Sequence, residues 1–369
     1  MVRSRWRTWG LGLVGVLGLL LLGLVLALRY TAPCAGPPAA ATGDTMRAVT
    51  ARCYGPAEVL AVEQLAKPVP AEDEILVRVQ VAAINPLDHH FLHGHPYAVR
   101  LAAGLGAPED PRVGVDFAGI VEAVGAKVSR FQPGDAVFGN ANGAFAEYVV
   151  RRDSPAVAKV PPGLSLEDAA AMPVAAVTAL QALRDHAKVQ PGHKVLINGA
   201  SGGVGTYAVQ IAKALGAEVT GVSSTRNVAL VQGLGADHAI DYTQRDFTRE
   251  TVRYDAIIDM VGNHSIGALT SVLQPEGTLV KVGSVEKSGW APLDSWISLR
   301  IASLLHSQKL ISMLADLGPG DLDTLAQMAA AGQIRSVIDT RYPLAQVQDA
   351  MRHLETGRTR GKILITVAP

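Results

Sequence analysis

Hydrophobic positions divide the chain into regions with different periods. From Leu11 to Leu28 every residue is Leu, Val, Ala or Gly, with Trp9 before the run and Tyr30 after it. An uncharged run of that length predicts one helix crossing a hydrocarbon layer over residues 11–30, with aromatic residues at its edges. Residues 1–10 form a basic segment carrying Arg3, Arg5 and Arg7. A cleaved signal peptide shares these features. The length of the run, and the proline before Cys34 at the end of Thr31-Ala-Pro-Cys34, favour a retained membrane anchor. Residues 31–45, rich in Ala, Pro and Gly, read as a flexible linker.

From Met46 the pattern shortens to strands. Arg47–Cys53, Leu60–Gln64, Glu74–Ala83, Gly119–Val124, Ala136–Gly139 and Ala144–Val150 are alternating or continuous apolar stretches separated by Gly and Pro. They predict a compact all-β unit over residues 46–164. Ser165–His186 reads as two helices, the first capped by Ser165 and the second opened at Pro173. Beyond them strands and helices alternate. Lys194–Asn198, Glu218–Val222, Ala239–Asp241, Tyr254–Met260 and Thr278–Val282 are strands, and Ser265–Leu273 is a helix. Val204, Tyr207, Ala208, Ile211 and Leu215 mark one apolar face of a further helix. This alternation predicts an α/β fold with a doubly wound parallel sheet over residues 165–335. Tyr342–Glu355 reads as a proline-started helix and Lys362–Val367 as a final strand returning to the first unit.

The turn between the first strand and helix of the α/β unit carries the most specific chemistry. Ala200, Gly202 and Gly205 form A-x-G-x-x-G, completed by Ser201, Gly203 and Val204. Small residues there let the backbone approach a pyrophosphate, and free N–H groups at a helix start meet its charge. An NAD site usually places an acid after the second strand, whereas this chain has Ser223-Ser-Thr-Arg226. Hydroxyls beside a guanidinium suit a 2′-phosphate, which points to NADPH. The bland alternative puts Arg226 on the solvated start of the next helix. Gly262 and Gly283 follow two strand ends, where such sheets bind ligands.

Charge narrows the partners. Lys plus Arg and Asp plus Glu number 33 each, so no basic field suggests nucleic acid. The arginines before the apolar run predict a cytoplasmic N-terminus and put the enzyme across the membrane. Reduced nicotinamide cofactor is scarce there, and Arg29, Arg47 and Arg52 supply opposing charge, so the side stays open. Cys34, beside the leader, and Cys53, in an expected strand, make neither a disulfide framework nor a cysteine zinc site.

The segments Ala83-Ile-Asn-Pro-Leu-Asp88, Arg112-Val-Gly-Val-Asp-Phe-Ala-Gly119, Val121-Glu-Ala-Val-Gly125, Pro133-Gly-Asp135 and Gly143-Ala-Phe-Ala-Glu-Tyr148 appear in that order. Ala169-Ala-Ala-Met-Pro173, Asn198 to Gly205 and Gly361-Lys-Ile-Leu-Ile365 follow. From Met46 onward the chain thus resembles the medium-chain dehydrogenase/reductase superfamily, and within it the zinc-independent, zeta-crystallin-like quinone oxidoreductase group. The resemblance implies a GroES-like β domain over 46–164 completed by 336–369, a Rossmann domain over 165–335, and an active site in the cleft between them. It also implies NADPH-dependent reduction of a quinone or α,β-unsaturated carbonyl, and a homodimer formed through the Rossmann sheet edge.

In zinc-dependent relatives a Cys stands where Asn85 is and a His-Glu pair where Val115-Asp116 is, so no catalytic metal is expected. Asn85 is the first candidate for an active-site hydrogen bond, and His90 is a donor to a substrate oxygen. By the resemblance Thr178 and Lys362 match positions near the nicotinamide, the alternative for Lys362 being a solvated charge at a strand end. Residues 200–205 should hold the pyrophosphate, and Ser223, Ser224, Arg226 and Tyr242 the adenosine phosphate, with Gly262 and Gly283 on the cleft floor. His89, His90, His93 and His95 beside Asp88 are either a polar loop or a metal-binding run. Two rival functions follow: an alcohol dehydrogenase with a metal site built from that run, or a non-catalytic, membrane-tethered NADPH-binding protein.

Overall fold

The computed structural model describes residues 19, 20, 22–36, 42–154, 156–282, 293–317 and 320–367. Strand Glu74–Ile84 is the hub of the first unit, because its eleven residues are almost continuously buried and so need partners on both edges. It pairs antiparallel with Asp116–Val124, with Tyr148–Arg152 and with Lys362–Thr366. Ala136–Asn140 and Val157–Lys159 extend the sheet on one side and Ile338–Pro343 on the other. A hairpin of Thr45–Ala51 with Leu60–Ala66 lies against it, joined by a bridge from Ala48 to Ala146.

The second sheet is parallel throughout, in the order His238–Asp241, Glu218–Ser223, Lys194–Asn198, Tyr254–Asp259, Leu273–Lys281 and Lys309–Ser312. This is the doubly wound order of a dinucleotide-binding sheet, whose direction of winding reverses between Lys194–Asn198 and Tyr254–Asp259. Four helices position the site: α1 (Pro86–His93), α2 (Pro173–Gln181), α3 (Gly203–Ala214) and α4 (Val347–Glu355). Tyr207, Ala208 and Ile211 of α3 are fully buried against the sheet, so the apolar face legible in the sequence is the packed one.

Several boundaries move for identifiable reasons. The helix expected from Tyr342 begins at Val347, because Ile338–Pro343 is a strand parallel to Lys362–Thr366. Pro343 biases Tyr342 toward extended backbone. Leu273 opens a strand instead of closing a helix, and the helix there spans Ile266–Ser271. The strand expected from Ala144 starts at Tyr148, after Phe145 has bonded to Val113 and Val49.

The N-terminal expectations change most. Residues 1–18 and 21 of the expected basic segment and membrane span lie outside the described residues. Among those described, no helix is long and apolar enough to cross a membrane. The helical residues 22–29 lead into backbone whose first residues are hydrogen-bonded to the β unit, while residues 37–41 of the linker expected over 31–45 lie outside the described residues. Arg100, itself buried, donates to the Tyr30 carbonyl at 2.7 Å and to the Thr31 hydroxyl at 3.2 Å, and Ala32 N–H donates to the Gly106 carbonyl at 2.8 Å. Cys34 and Cys53 form a disulfide, a single cross-link where no disulfide framework was expected. Sequence distance concealed this pairing: strand Thr45–Ala51 ends before Cys53, and the turn beyond it carries the cysteine back beside residue 34. Proteolysis without reductant should recover residues 34 and 53 in one fragment that separates in two on reduction; two fragments under both conditions would refute the cross-link.

Candidate active site

A cleft of about 1210 Å³ opens at the carboxyl ends of Lys194–Asn198 and Tyr254–Asp259, where the winding of the parallel sheet reverses. Its floor is tied across the switch point. Asn198 Nδ2 donates to Asp259 Oδ1 at 2.9 Å, and the same oxygen accepts from the N–H groups of Val261 and Gly262.

The glycine-rich turn forms one wall. Gly199 has φ +91°, the left-handed region that favours glycine. A Cβ on Gly205 would stand 2.1 Å from the Gly199 carbonyl oxygen and 2.8 Å from Ala200, so only glycine permits the helix start to approach the turn this closely. Gly202 precedes the first turn of α3 in extended conformation, and Ser201 through Gly205 line the cleft. The unpaired N–H groups of the first turn and the positive end of the helix dipole make this a cradle for a diphosphate. Ala200, expected to share in it, is fully buried under the turn and does not reach the cleft.

Ser223, Ser224, Arg226 and Tyr242 all line the same end. Ser223 is buried, Tyr242 is exposed, and Arg226 donates to the Arg358 carbonyl at 2.6 Å. Asn227, not singled out in the sequence, ties this end to the glycine turn: its Nδ2 donates to Ser201 Oγ at 3.0 Å and lies 3.4 Å from Ser224 Oγ, while its Oδ1 is a buried acceptor without a partner. A short polar side chain after the Ser-Ser-Thr-Arg run was the available signal.

At the other end stands a buried polar cluster. Lys362, 3 % exposed, donates from Nζ to Asn85 Oδ1 at 2.5 Å and lies 3.5 Å from Asp116 Oδ2. Asn85 Nδ2 donates to the same Asp116 oxygen at 2.9 Å, and Val174 N–H at the start of α2 donates to that carboxylate. Asp116 is therefore central, although the sequence offered it only as a replaced metal ligand; a lone acid in the apolar run Val113–Ala118 was the signal. Burial pushes the Asp116 carboxyl up and the Lys362 ammonium down, and each charge opposes the other's shift. Asp88, which accepts from Asn85 N–H at 2.7 Å, is pushed up to about 7, chiefly by burial. Its Oδ1 is buried without a partner, a position that a neutral carboxyl tolerates better than a carboxylate.

The remaining expected residues divide. His89 and His90 line the cleft. Asn85 lines it as well, with both ends of its amide engaged by Lys362 and Asp116, so it orients these groups. The Thr178 hydroxyl donates to the Val174 carbonyl one turn back, and of this helix Val174 and Ala175 line the cleft. Gly262 does not line the cleft, although its neighbours Val261 and Asn263 do, because its N–H is turned to Asp259. Gly283 lies outside the described residues. Not expected at the site was the strap after α4, of which Gly357, Arg358, Thr359 and Gly361 line the cleft and Gly361 bridges to Gly202.

Residues 71–162 match the alcohol dehydrogenase GroES-like domain and residues 234–365 the zinc-binding dehydrogenase family. A chloroplastic quinone-oxidoreductase homolog of Spinacia oleracea is 33 % identical over 84 % of this chain and 95 % of its own length. A trans-enoyl reductase of Aspergillus terreus is 32 % identical over 80 % and 86 %. The solved quinone oxidoreductase from Coxiella burnetii superposes with a TM-score of 0.78 at 30 % identity, covering 88 % of this chain and all of that one.

The state of Asp88 has a measurable consequence. An unfolded aspartate ionises near pH ~4, whereas the folded carboxyl holds its proton to about 7. The native state binds the extra proton between these values, so this contribution to stability is fully present below pH ~4 and is lost as pH rises through about 7. An Asp88→Asn variant keeps an acceptor for Asn85 N–H and cannot titrate. Its Tm relative to the unsubstituted protein should therefore rise from pH 4 to pH 8; a constant difference would show that Asp88 keeps its ordinary pKa.

Proposed function

The chain belongs to the medium-chain dehydrogenase/reductase superfamily, and on that premise we propose that it reduces a quinone or an α,β-unsaturated carbonyl with NADPH, without a catalytic metal. The observation carrying this reading is the buried Lys362–Asn85–Asp116 cluster, which opens on the same cleft as the glycine cradle and in which Asn85 stands where the resemblance puts a cysteine in zinc-dependent relatives. An amide and a lysine-paired carboxylate are a poor donor set for catalytic zinc.

NADPH, when bound, supplies the hydride. The chain's part is to bind and to manage charge. The turn at 201–205 holds the diphosphate, and Ser224, Arg226 and Tyr242 hold the 2′-phosphate. Asn227 keeps these two parts in register through Ser201 and Ser224. Lys362 Nζ, oriented by Asn85 and Asp116, holds a proton where charge develops on the acceptor oxygen, and its lowered pKa eases release of that proton. His90 adds a polar group to the acceptor end of the cleft. The acceptor gains one hydride and one proton, giving a hydroquinone or a saturated carbonyl.

Purified protein should oxidise NADPH with soluble quinones or enones, oxidise NADH poorly, and retain its rate after chelator treatment. No oxidation across such a panel would overturn the reading, and abolition by a chelator would overturn its metal-free part. Arg226→Asp should lower the NADPH-over-NADH preference by about tenfold or more, consistent with loss of a charge-assisted contact. Lys362→Met should lower kcat by about 10²-fold with smaller change in KM. Because a lone Asp116 would be left buried, Lys362→Met is compared with Lys362→Met/Asp116→Asn, which should be better folded and equally slow.

A further inference from the structure

The histidine run in α1 has a partner that the sequence does not reveal. His89 and His93 are four residues apart, so both rings leave one face of the helix, with centroids 4.2 Å apart. Glu355, the last residue of α4, faces them: its Oε1 is 2.9 Å from His93 Nε2 and 3.3 Å from His89 Nδ1. One ligand atom from each of the three lies within 4.8 Å of the others. Ligands at ~2.0–2.1 Å around a tetrahedral zinc ion are roughly 3.3 Å apart, so small side-chain rotations bring all three into range.

Two further features favour a cation. His93 and Glu355 each end a helix, so the negative ends of two helix dipoles meet beside a carboxylate. His89 Nδ1 is buried and makes no hydrogen bond despite its distance from Glu355. We propose that His89, His93 and Glu355 hold a divalent transition-metal ion, zinc foremost, which ties α1 to the end of α4. Two imidazoles and a carboxylate suit zinc far better than magnesium or calcium, which prefer oxygen donors. The site is separate from the zinc position of the superfamily's metal-dependent members, whose counterparts here are Asn85, Val115 and Asp116.

Occupancy acts on the cleft through the chain that follows Glu355. The strap from Thr356 to Gly361 lines the cleft and receives Arg226 on the Arg358 carbonyl. His89 and Glu355 themselves line the acceptor end. An ion drawing them together narrows that end and restrains the strap, and so inhibits turnover.

The test uses full-length protein stripped with chelator and dialysed against micromolar Zn²⁺, beside His93→Gln and Glu355→Gln, which alter ligands on different helices. One ion per chain is expected in the unsubstituted protein and none at that concentration in either variant. Tm should rise by about 2–4 °C at a hundredfold excess over Kd in the unsubstituted protein alone. Equal zinc binding by all three proteins would place the ion elsewhere and overturn the proposal. No binding by the unsubstituted protein would do the same, leaving the trio a plain ion pair. Zinc should also slow NADPH oxidation severalfold in the unsubstituted protein and leave His93→Gln unchanged. That arm rests on the function proposed above and fails with it, whereas the dialysis does not depend on it.

Discussion

A buried ammonium held between an amide and a carboxylate joins the two halves of this protein. Lys362 opens the last strand, Asn85 follows the hub strand and caps α1, Asp116 opens the neighbouring strand, and the Val174 N–H lies in the first turn of α2 of the adjoining unit. Four elements distant in sequence therefore meet at one cluster of polar atoms with almost no solvent. Removing one member of such a buried pair typically costs about 3–5 kcal/mol, because the other is left uncompensated. The cluster constrains the fold as much as it equips the cleft.

The opposite wall follows from a different constraint, backbone proximity. Gly205 must pass within contact of the Gly199 carbonyl, and Gly361 donates its N–H to the Ser201 carbonyl. The residue before Lys362 thereby braces the glycine turn while Lys362 itself reaches Asn85. One short segment, Gly361-Lys362, thus sets the spacing between the diphosphate cradle and the charged end of the cleft. Any change in the strap that precedes it is felt at both ends.

Much of the site was legible because its chemistry is local. The A-x-G-x-x-G turn, the Ser223-Ser-Thr-Arg226 run and the strand–helix alternation are contiguous patterns, and the structure places Ser201–Gly205, Ser223, Ser224, Arg226 and Tyr242 around one cleft. Spacing does not encode that the Thr178 hydroxyl is engaged by back-bonding to Val174 within its own helix. Asn227 and the Gly357–Gly361 strap were missed because their relevance depends on which loops face one another. The Tyr342–Pro343 boundary failed similarly: a parallel neighbour, Lys362–Thr366, recruits the segment into a sheet.

The linear chain by itself determined the class of fold and the position of the glycine-rich turn between the first strand and helix of the parallel sheet, because each rests on periodicity or on residue type at close spacing. Tertiary structure alone decided that Asp116 and Lys362 form a pair, that Cys34 meets Cys53, and that Glu355 closes on His89 and His93. These contacts join residues separated by 246, 19 and more than 260 positions respectively. Over such separations the chain's packing, and not local propensity, determines which polar groups become neighbours.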